Sequence, residues 1–306
     1  MKANWTDIAR GAWNALADKA EVGLHQDWAY GQAMSHLGGR PLRAIVKDGD
    51  TPVALAQFLI RDFAGLARAA LCSHGPVWLA RLDTPAKAEI YRELRRSSPL
   101  ARPRFTLFTP ADLNPGDSLR RAGLNKVMTG YSTVLIDLTQ NLEELLGGMR
   151  QKWRNRLRAA ERSDLKLIEN GSKPSQYRWL LNQETGQRAA KKYKAPPIAF
   201  AEAYQAAKGG KAGARVFRAD LGREQSAGMM FLTHGRRATY HIGWANDAGR
   251  KTGAHNLILW TAINALKNDG YTSLDLGGVD TRHGAGVARF KLGVGGRLET
   301  LPGTYL

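Results

Sequence analysis

The residues best placed to do chemistry lie between Tyr240 and Gly296. This segment reads as a strand, a loop, an amphipathic helix, a second strand, a glycine-rich crossover and a closing Arg289-Phe290-Lys291. A helix between two strands makes a βαβ crossover, and ligands of open α/β sheets gather where strand ends meet helix starts. A cationic side chain at that place, after a glycine-rich segment, predicts a site that holds an anion.

A second candidate is the basic segment 150–194, which holds thirteen lysines and arginines against four acidic residues. Within it arginines recur every four residues, at Arg150, Arg154, Arg158 and Arg162. This spacing predicts one ridge of guanidinium groups on a helix, beside an apolar face that includes Trp153 and Leu157. Like charges at this spacing destabilise a helix by a few tenths of a kcal/mol per pair. Two interpretations of the ridge stay open: it binds a ligand rich in phosphate, or it is a solvated helix face.

Several other chemistries lack their motifs. Cys72 and His74 are too close together for a finger-type zinc pair, and the seven histidines are scattered, so no metal site is expected. The chain has neither a Gly-x-Ser-x-Gly elbow nor a Gly-x4-Gly-Lys-Ser/Thr loop. Gly284-x-Gly286 lacks the third glycine and the following helix of a dinucleotide fingerprint.

Two segments share one order of predicted elements. The first has a hairpin over 41–60, a strand over 71–78, a helix with Thr84 as its N-cap and a strand over 105–109. The second has strands over 215–219, 228–233 and 238–244, a helix over 252–268 and a strand over 273–276. The pattern predicts an α/β protein of two tandem copies.

Each copy is expected to have a mixed, mostly antiparallel sheet flanked by helices. The predicted domains are 1–137 and 138–306, and the second includes a basic linker helix over 141–163.

Charge and cysteine usage restrict the partners and the compartment. The 306 residues include 45 lysines and arginines against 27 acidic residues, for a formal charge of +18. Such an excess points to a polyanionic partner, such as nucleic acid, anionic lipid headgroups or nucleotide diphosphates. No apolar run approaches the roughly 20 residues of a membrane span, and the N-terminus has no secretory block. A single cysteine fits a reducing compartment, so a cytoplasmic location is expected.

The chain resembles the FemXAB aminoacyltransferases of the GNAT-like acyltransferase superfamily. The resemblance lies in HQDWAYGQAM, HGPVW, EELLGGMRQKWRNRLRAAER and the segment from Tyr240 to Gly296. Its strongest motifs are Lys152-Trp153-Arg154-Asn155 with Arg158, and Gly286 to Gly296 with Phe290-Lys291. GNAT acetyltransferases cradle the pyrophosphate of CoA on a loop that Arg250-Lys-Thr-Gly253-Ala-His255 begins and then breaks at His255. The resemblance therefore implies a compact FemXAB-like enzyme that uses no CoA, and no cofactor is expected.

The resemblance also implies roles for single residues. Lys291 stabilises the negative charge that develops during transfer, and Phe290 shapes the pocket beside it. The expected substrate-binding residues are Arg154, Arg158, Arg188, Tyr193, Tyr240, Asp275, Gly277 and Gly278. No side-chain base is evident in the sequence.

The function that follows is transfer of an aminoacyl group from aminoacyl-tRNA to an amine acceptor, with formation of an amide bond. The expected acceptor is a UDP-linked or lipid-linked peptidoglycan precursor, and peripheral contact with a membrane stays open. One alternative is a GNAT-type N-acyltransferase that uses acyl-CoA or an acyl carrier. A second alternative is a non-catalytic RNA-binding protein, which the arginine ridge alone would allow.

Overall fold

A computed structural model describes residues 1–6, 8–63, 67–170, 173–191, 195–209, 213–282 and 284–306. The strands are β1 (Lys2–Asn4), β2 (Arg40–Asp48), β3 (Thr51–Phe63), β4 (Ala67–Ser73), β5 (Val77–Trp78), β6 (Arg104–Thr109), β7 (Lys126–Met128), β8 (Ser132–Asp137), β9 (Leu165–Asn170), β10 (Ala214–Leu221), β11 (Glu224–His234), β12 (Arg237–Ala245), β13 (Ser273–Gly278), β14 (Arg297–Thr300) and β15 (Thr304–Tyr305). The helices are α1 (Arg10–Ala17), α2 (Trp28–His36), α3 (Thr84–Arg96), α4 (Ser118–Arg121), α5 (Leu142–Gly148), α6 (Gln151–Glu161), α7 (Pro174–Lys191), α8 (Ala199–Ala207), α9 (Asp247–Thr252), α10 (Ala254–Asn268) and α11 (Ala285–Gly293).

Two mixed sheets carry the fold. The first has the order β1-β2-β3-β4-β6-β15-β7, and the second has the order β14-β8-β13-β12-β11-β10-β9. In each sheet one parallel pair is joined through a helix: β4 and β6 through α3, and β12 and β13 through α10. Their neighbours β3 and β11 pair antiparallel. The predicted fold class, two tandem α/β copies with mostly antiparallel sheets, is confirmed.

The chain divides into two compact units, which differ from the predicted domains in two places. The first unit contains residues 1–131 and 300–306, and the second unit contains residues 132–299. β8 follows β7 in sequence but pairs with β13 of the second sheet, so the division falls before this strand and not after residue 137. β15, at the C-terminal end, pairs with β6 and β7 of the first sheet. The two copies have thus exchanged one strand each.

The predicted linker helix over 141–163 is two helices. α5 ends at Gly148, and both Met149 and Arg150 have extended backbones before α6 begins. Two consecutive glycines weaken the helix at this point, and the Arg150 N–H binds the carbonyl of Gly293 instead. Arg150 is therefore the N-cap of α6 and does not continue the arginine ridge.

Smaller differences concern strand and helix ends. The predicted strand over 71–78 turns at His74, which has a φ of 56° and whose N–H binds the carbonyl of Thr109. The chain then pairs β5 with β3. α3 begins at Thr84, but its N-cap is Asp83, whose carboxylate accepts the N–H of Ala86. α11 was not expected, because its glycine-rich sequence has low helix propensity.

Each unit has its own apolar core. In the second unit α6 packs Trp153, Leu157 and Ala160 against α10 and the sheet. Burial of a side chain as large as Trp153 or Leu157 contributes about 1.5 to 3 kcal/mol, which fixes the rotation of α6 about its axis. In the described part of the chain, no helix has the length and apolar character needed to cross a membrane.

Candidate active site

The site begins where two parallel strands separate. β12 and β13 pair only from Arg237–Ser273 to Thr239–Asp275. Beyond that point β12 follows β11, with a β-bulge opposite Met230 and Phe231, while β13 follows β8. A bulge bends its strand and increases its twist. The divergence leaves a gap in the sheet of the second unit.

A cavity of about 510 Å³ lies at this gap. Its wall is made by β12, α9, α10, α11 and the turn between α9 and α10, with single residues of β11, β13, α6 and α7. The predicted site residues Tyr240, Phe290 and Lys291 all line it, together with Gly253 and His255 of the loop that resembles a pyrophosphate-binding loop. The fold therefore brings together residues that are as much as 51 positions apart in sequence, from Tyr240 to Lys291.

Lys291 is buried, with only 7% of its surface exposed. Its ammonium donates to the carbonyl of Gly278 at 2.9 Å, and Nζ lies 5.5 Å from the centre of the Tyr240 ring. Burial lowers its pKa from 10.5 to about 8, and the negative charge of Asp275 partly opposes that effect. The lysine is thus a partly desolvated cation in the cavity wall, and its pKa lies close to neutral pH.

Asp275, Gly277 and Gly278 form the support behind Lys291. The Asp275 carboxylate accepts the N–H of Gly277 at 2.7 Å and the hydroxyl of Thr133. Gly277 has a φ of +71°, a conformation that side chains with a Cβ adopt rarely. This turn at the end of β13 presents the Gly278 carbonyl to the ammonium. The three predicted residues position Lys291 and do not line the cavity themselves.

Phe290 is held between two rings. Its centroid lies 5.8 Å from that of Trp153 on α6 and 6.1 Å from that of His255 on α10. Nε2 of His255 is 2.9 Å from the carbonyl of Trp244, and because a carbonyl only accepts, this nitrogen is the donor. The imidazole therefore lies between the end of β12 and Phe290, at the start of α10.

A second cavity of about 680 Å³ adjoins the first and is strongly basic. The two share Arg156, Asn256, Gly286 and Phe290. Four cations line the second cavity, at Arg150, Lys152, Arg156 and Arg289. Among the described residues none of the four has an acidic partner within ion-pair distance. Adjoining cavities with this lining can take a ligand whose reacting group is small and whose body carries phosphates.

Arg156 was missed by the sequence analysis. Trp153 and Ala160 mark the buried stripe of α6, and Arg156 lies on one flank of it, four residues before Ala160. The arginines of the predicted ridge lie on the opposite flank. There Arg154 and Arg158 line a separate, small pocket of about 180 Å³, away from Lys291.

Arg188 is not among the residues that line the cavity. The Arg188 guanidinium forms an ion pair with the buried Glu184 at 2.7 Å and also donates to the carbonyl of Pro196. Gln187, the next residue along α7, lines the cavity instead. Tyr193 lies outside the described residues.

Comparison with known proteins agrees with this geometry. Residues 147–292 match the family model described as an acetyltransferase (GNAT) domain. The match begins in α5 and ends in α11, so it contains the whole cavity wall. Residues 147–292 therefore resemble a GNAT domain, and this match supports an acyltransferase.

Solved structures extend the likeness to the whole chain. The crystal structure of FemX matches all of this chain and 96% of its own, with a TM-score of 0.81 at 15% identity. The C-terminal domain of a putative lysylphosphatidylglycerol synthetase from Agrobacterium fabrum matches 97% of this chain and 92% of its own, with a TM-score of 0.58 at 16% identity. A tandem GNAT protein from the clavulanic acid biosynthesis pathway covers 99% of this chain and 98% of its own, with a TM-score of 0.55 at 13% identity.

No curated protein matches the sequence. The resemblance to FemXAB proteins is confirmed for the fold, which is FemX-like, and residues 147–292 match a GNAT domain.

Proposed function

We propose that this protein transfers an aminoacyl group from aminoacyl-tRNA to the amine of an acceptor, and that Lys291 stabilises the transition state. The observation that carries the proposal is the buried ammonium of Lys291 in the wall of a cavity where β12 and β13 separate. Desolvation makes such a charge far more effective than it is in water.

The reaction needs one bond to form and one to break. The acceptor nitrogen, in its neutral form, attacks the carbonyl carbon of the ester, and the carbon–oxygen bond to the ribose then breaks. The amine loses a proton and the ribose oxygen gains one, so the reaction is balanced without a cofactor. Negative charge appears first on the carbonyl oxygen and then on the leaving oxygen. The Lys291 ammonium stabilises that charge, which is absent from the bound substrates.

The choice of donor rests on the cations that line the second cavity. Arg150, Lys152, Arg156 and Arg289 supply four positive charges beside Phe290. The 3′ end of a charged tRNA carries phosphates a few bonds from its ester, so the ester can reach Lys291 while the phosphates contact these cations. The net charge of +18 suits the same donor.

The acceptor is proposed to be an amine of a UDP-linked or lipid-linked peptidoglycan precursor, met in the cytoplasm. The fold of FemX supports this choice. A structural neighbour named as a lysylphosphatidylglycerol synthetase supports an aminoacyl donor as well, and it makes an anionic lipid surface a peripheral contact to test.

A GNAT-type N-acyltransferase that uses acyl-CoA is the second candidate. Gly249 and Arg250 of α9 and Gly253, the N-cap of α10, line the cavity, as the pyrophosphate loop of such an enzyme would. The His255 imidazole at that helix start argues against this candidate, because it takes the space that a small residue leaves for a phosphate. Arg250 is also engaged, in an ion pair with Asp247 at 2.6 Å.

One experiment separates the two candidates. The protein is incubated with a UDP-linked pentapeptide precursor and either a mixture of charged tRNAs or acetyl-CoA, and the products are identified by mass spectrometry. We expect aminoacylated precursor from the tRNA mixture and none from acetyl-CoA. Lys291→Met should abolish most of the product, whereas Lys251→Met, an exposed lysine of the same unit, should not. Acetylated product alone would favour the second candidate.

A further inference from the structure

A second basic surface lies in the first unit, outside the GNAT domain. Five arginines line an open groove of about 1110 Å³, at Arg92, Arg95, Arg96, Arg102 and Arg104. The groove runs between the last turn of α3 and the start of β6. All its lining residues belong to the first unit.

The hydrogen bonds of these arginines hold them in place without neutralising most of them. Arg104 donates to the carbonyls of Leu100 and Arg96, at 2.7 and 2.9 Å. Arg95 donates to the carbonyl of Gly123 at 3.2 Å. Carbonyl groups orient a guanidinium but leave its charge in place, so the groove keeps a positive field.

Among the residues that the structure describes, carboxylates pair with two of the five arginines. Arg92 pairs with Glu89 and Arg96 with Glu93, each within one turn of α3. Arg102, in the described structure, has neither a carboxylate nor a carbonyl partner. The balance in the groove is therefore about three unneutralised positive charges in one concave strip.

An exposed aromatic ring lies in the same groove. Phe105 follows Arg104 on β6 and has 46% of its surface exposed, whereas Thr106 beside it is buried, with 5% exposed. Exposure of a phenyl ring costs hydrophobic free energy that a stacked base would recover. Guanidinium groups combined with an exposed aromatic ring are what proteins use to bind single-stranded nucleic acid.

We propose that the first unit binds the phosphate backbone of an RNA in this groove, with Phe105 as a stacking platform for a base. The groove is larger than most small-ligand pockets, and its concave shape suits a strand and not a flat bilayer. The proposal rests on the proposed function only in naming RNA as the polyanion. It assigns binding to the first unit and chemistry to the second.

Binding of uncharged tRNA at several salt concentrations tests the proposal. Fluorescence anisotropy is measured for the wild type and for the groove variant Arg92→Ala/Arg95→Ala/Arg102→Ala. The control variant, Arg10→Ala/Lys19→Ala/Arg81→Ala, removes three exposed charges of the same unit outside the groove. The slope of log affinity against log salt is negative, and each phosphate contact that a substitution removes should make it less steep by roughly 0.7 to 0.9. The groove variant should therefore lose about two units of slope, and the control less than one.

Phe105→Ala gives an independent readout. Loss of one stacked base should weaken binding of a single-stranded RNA roughly 5- to 150-fold with no change of slope. Because the triple variant could fail to fold, Arg102→Glu is measured with Arg81→Glu as its control, and thermal unfolding is recorded for every variant. Equal slopes for groove and control variants would overturn the proposal. The proposal would also be overturned if the groove variant lost binding to anionic vesicles but kept its binding to tRNA, because the occupant of the groove would then be a lipid surface.

The two proposals can fail separately. If the wild type binds tRNA through the groove but transfers nothing, the groove proposal stands and the proposed function fails. If transfer occurs and the groove and control variants bind tRNA alike, the groove proposal alone fails.

Discussion

Replacement of Lys291 by Met should lower turnover and leave stability equal or higher. The difference between the ordinary lysine pKa of 10.5 and the value of about 8 corresponds to roughly 3 kcal/mol that burial of the ammonium costs the folded state at neutral pH. Met keeps the methylene stem and removes this cost. The Gly278 carbonyl then loses its donor, which costs about 1 to 3 kcal/mol. The two terms nearly cancel, or they favour the variant by up to about 2 kcal/mol.

The effect on catalysis has the opposite sign. Loss of one group that stabilises an oxyanion lowers turnover by about 10²- to 10³-fold. Single-turnover transfer from a charged tRNA measures this step without product release. Lys291→Arg should restore only part of the rate, because a planar guanidinium cannot place its charge where the ammonium lies.

The pH dependence provides a control that does not need substrate. Between pH 8 and 10.5 the unfolded chain binds a proton at Lys291 that the folded chain does not, so wild-type stability should rise with pH across this window. Lys291→Met should lack that rise. The wild-type transfer rate should fall above about pH 8 as the ammonium loses its proton. Normal turnover combined with a clear loss of stability in Lys291→Met would refute the reasoning and make the lysine a structural residue.

Three further predictions concern the ligands and the fold. Acetyl-CoA should not raise the midpoint of thermal unfolding, although a ligand at a hundred times its Kd would add about 2.7 kcal/mol; a clear rise would favour the acyl-CoA alternative. Arg156→Ala should raise KM for the charged tRNA roughly tenfold or more, whereas Arg158→Ala, on the other flank of α6, should leave KM within about threefold and reduce only the salt dependence of binding. Removal of residues 301–306 takes β15 from the first sheet and leaves β14 whole, so limited proteolysis should attack the first unit and spare the second; equal resistance of both units would contradict the strand exchange.

The sequence predicted the elements whose signals are local. The hairpin of β2 and β3 and the amphipathic α6 follow from alternation, turn residues and the 3.6-residue period. The exchange of β8 and β15 carries no such signal, because either strand could fill either sheet with the same alternation of side chains. Strand partners depend on contacts that are distant in sequence. The predicted division at residue 137 therefore fell after β8, whose partner β13 is more than a hundred residues away.

The candidate site was predictable in part for a similar reason. Lys291 was found from its motif, but its burial and its contact with Gly278 depend on α11, which the glycine-rich sequence did not predict. Helical period gave the angle between Arg154 and Arg156 about the axis of α6. The period did not predict which flank of α6 faces the cavity, because that depends on the elements against which α6 packs.

The packing of α6 against Gly253 gives the last prediction. Gly253 has a φ of +75°, and a Cβ there would lie 3.2 Å from the carbonyl oxygen of Arg156. Gly253→Ala should therefore combine the roughly 1 to 2 kcal/mol cost of a left-handed alanine with displacement of α6, and KM for the charged tRNA should rise. Gly270 is the matched control, because its φ is +82° and a Cβ there would meet no atom within 4 Å.

Gly270→Ala should show the conformational cost alone, with an unchanged KM. Thermal unfolding and donor KM of the two variants together measure what the close approach adds. If both variants lose the same stability and keep the wild-type KM, the contact between α6 and the start of α10 does not position Arg156. That outcome would contradict the proposal that the second cavity places the donor beside Lys291.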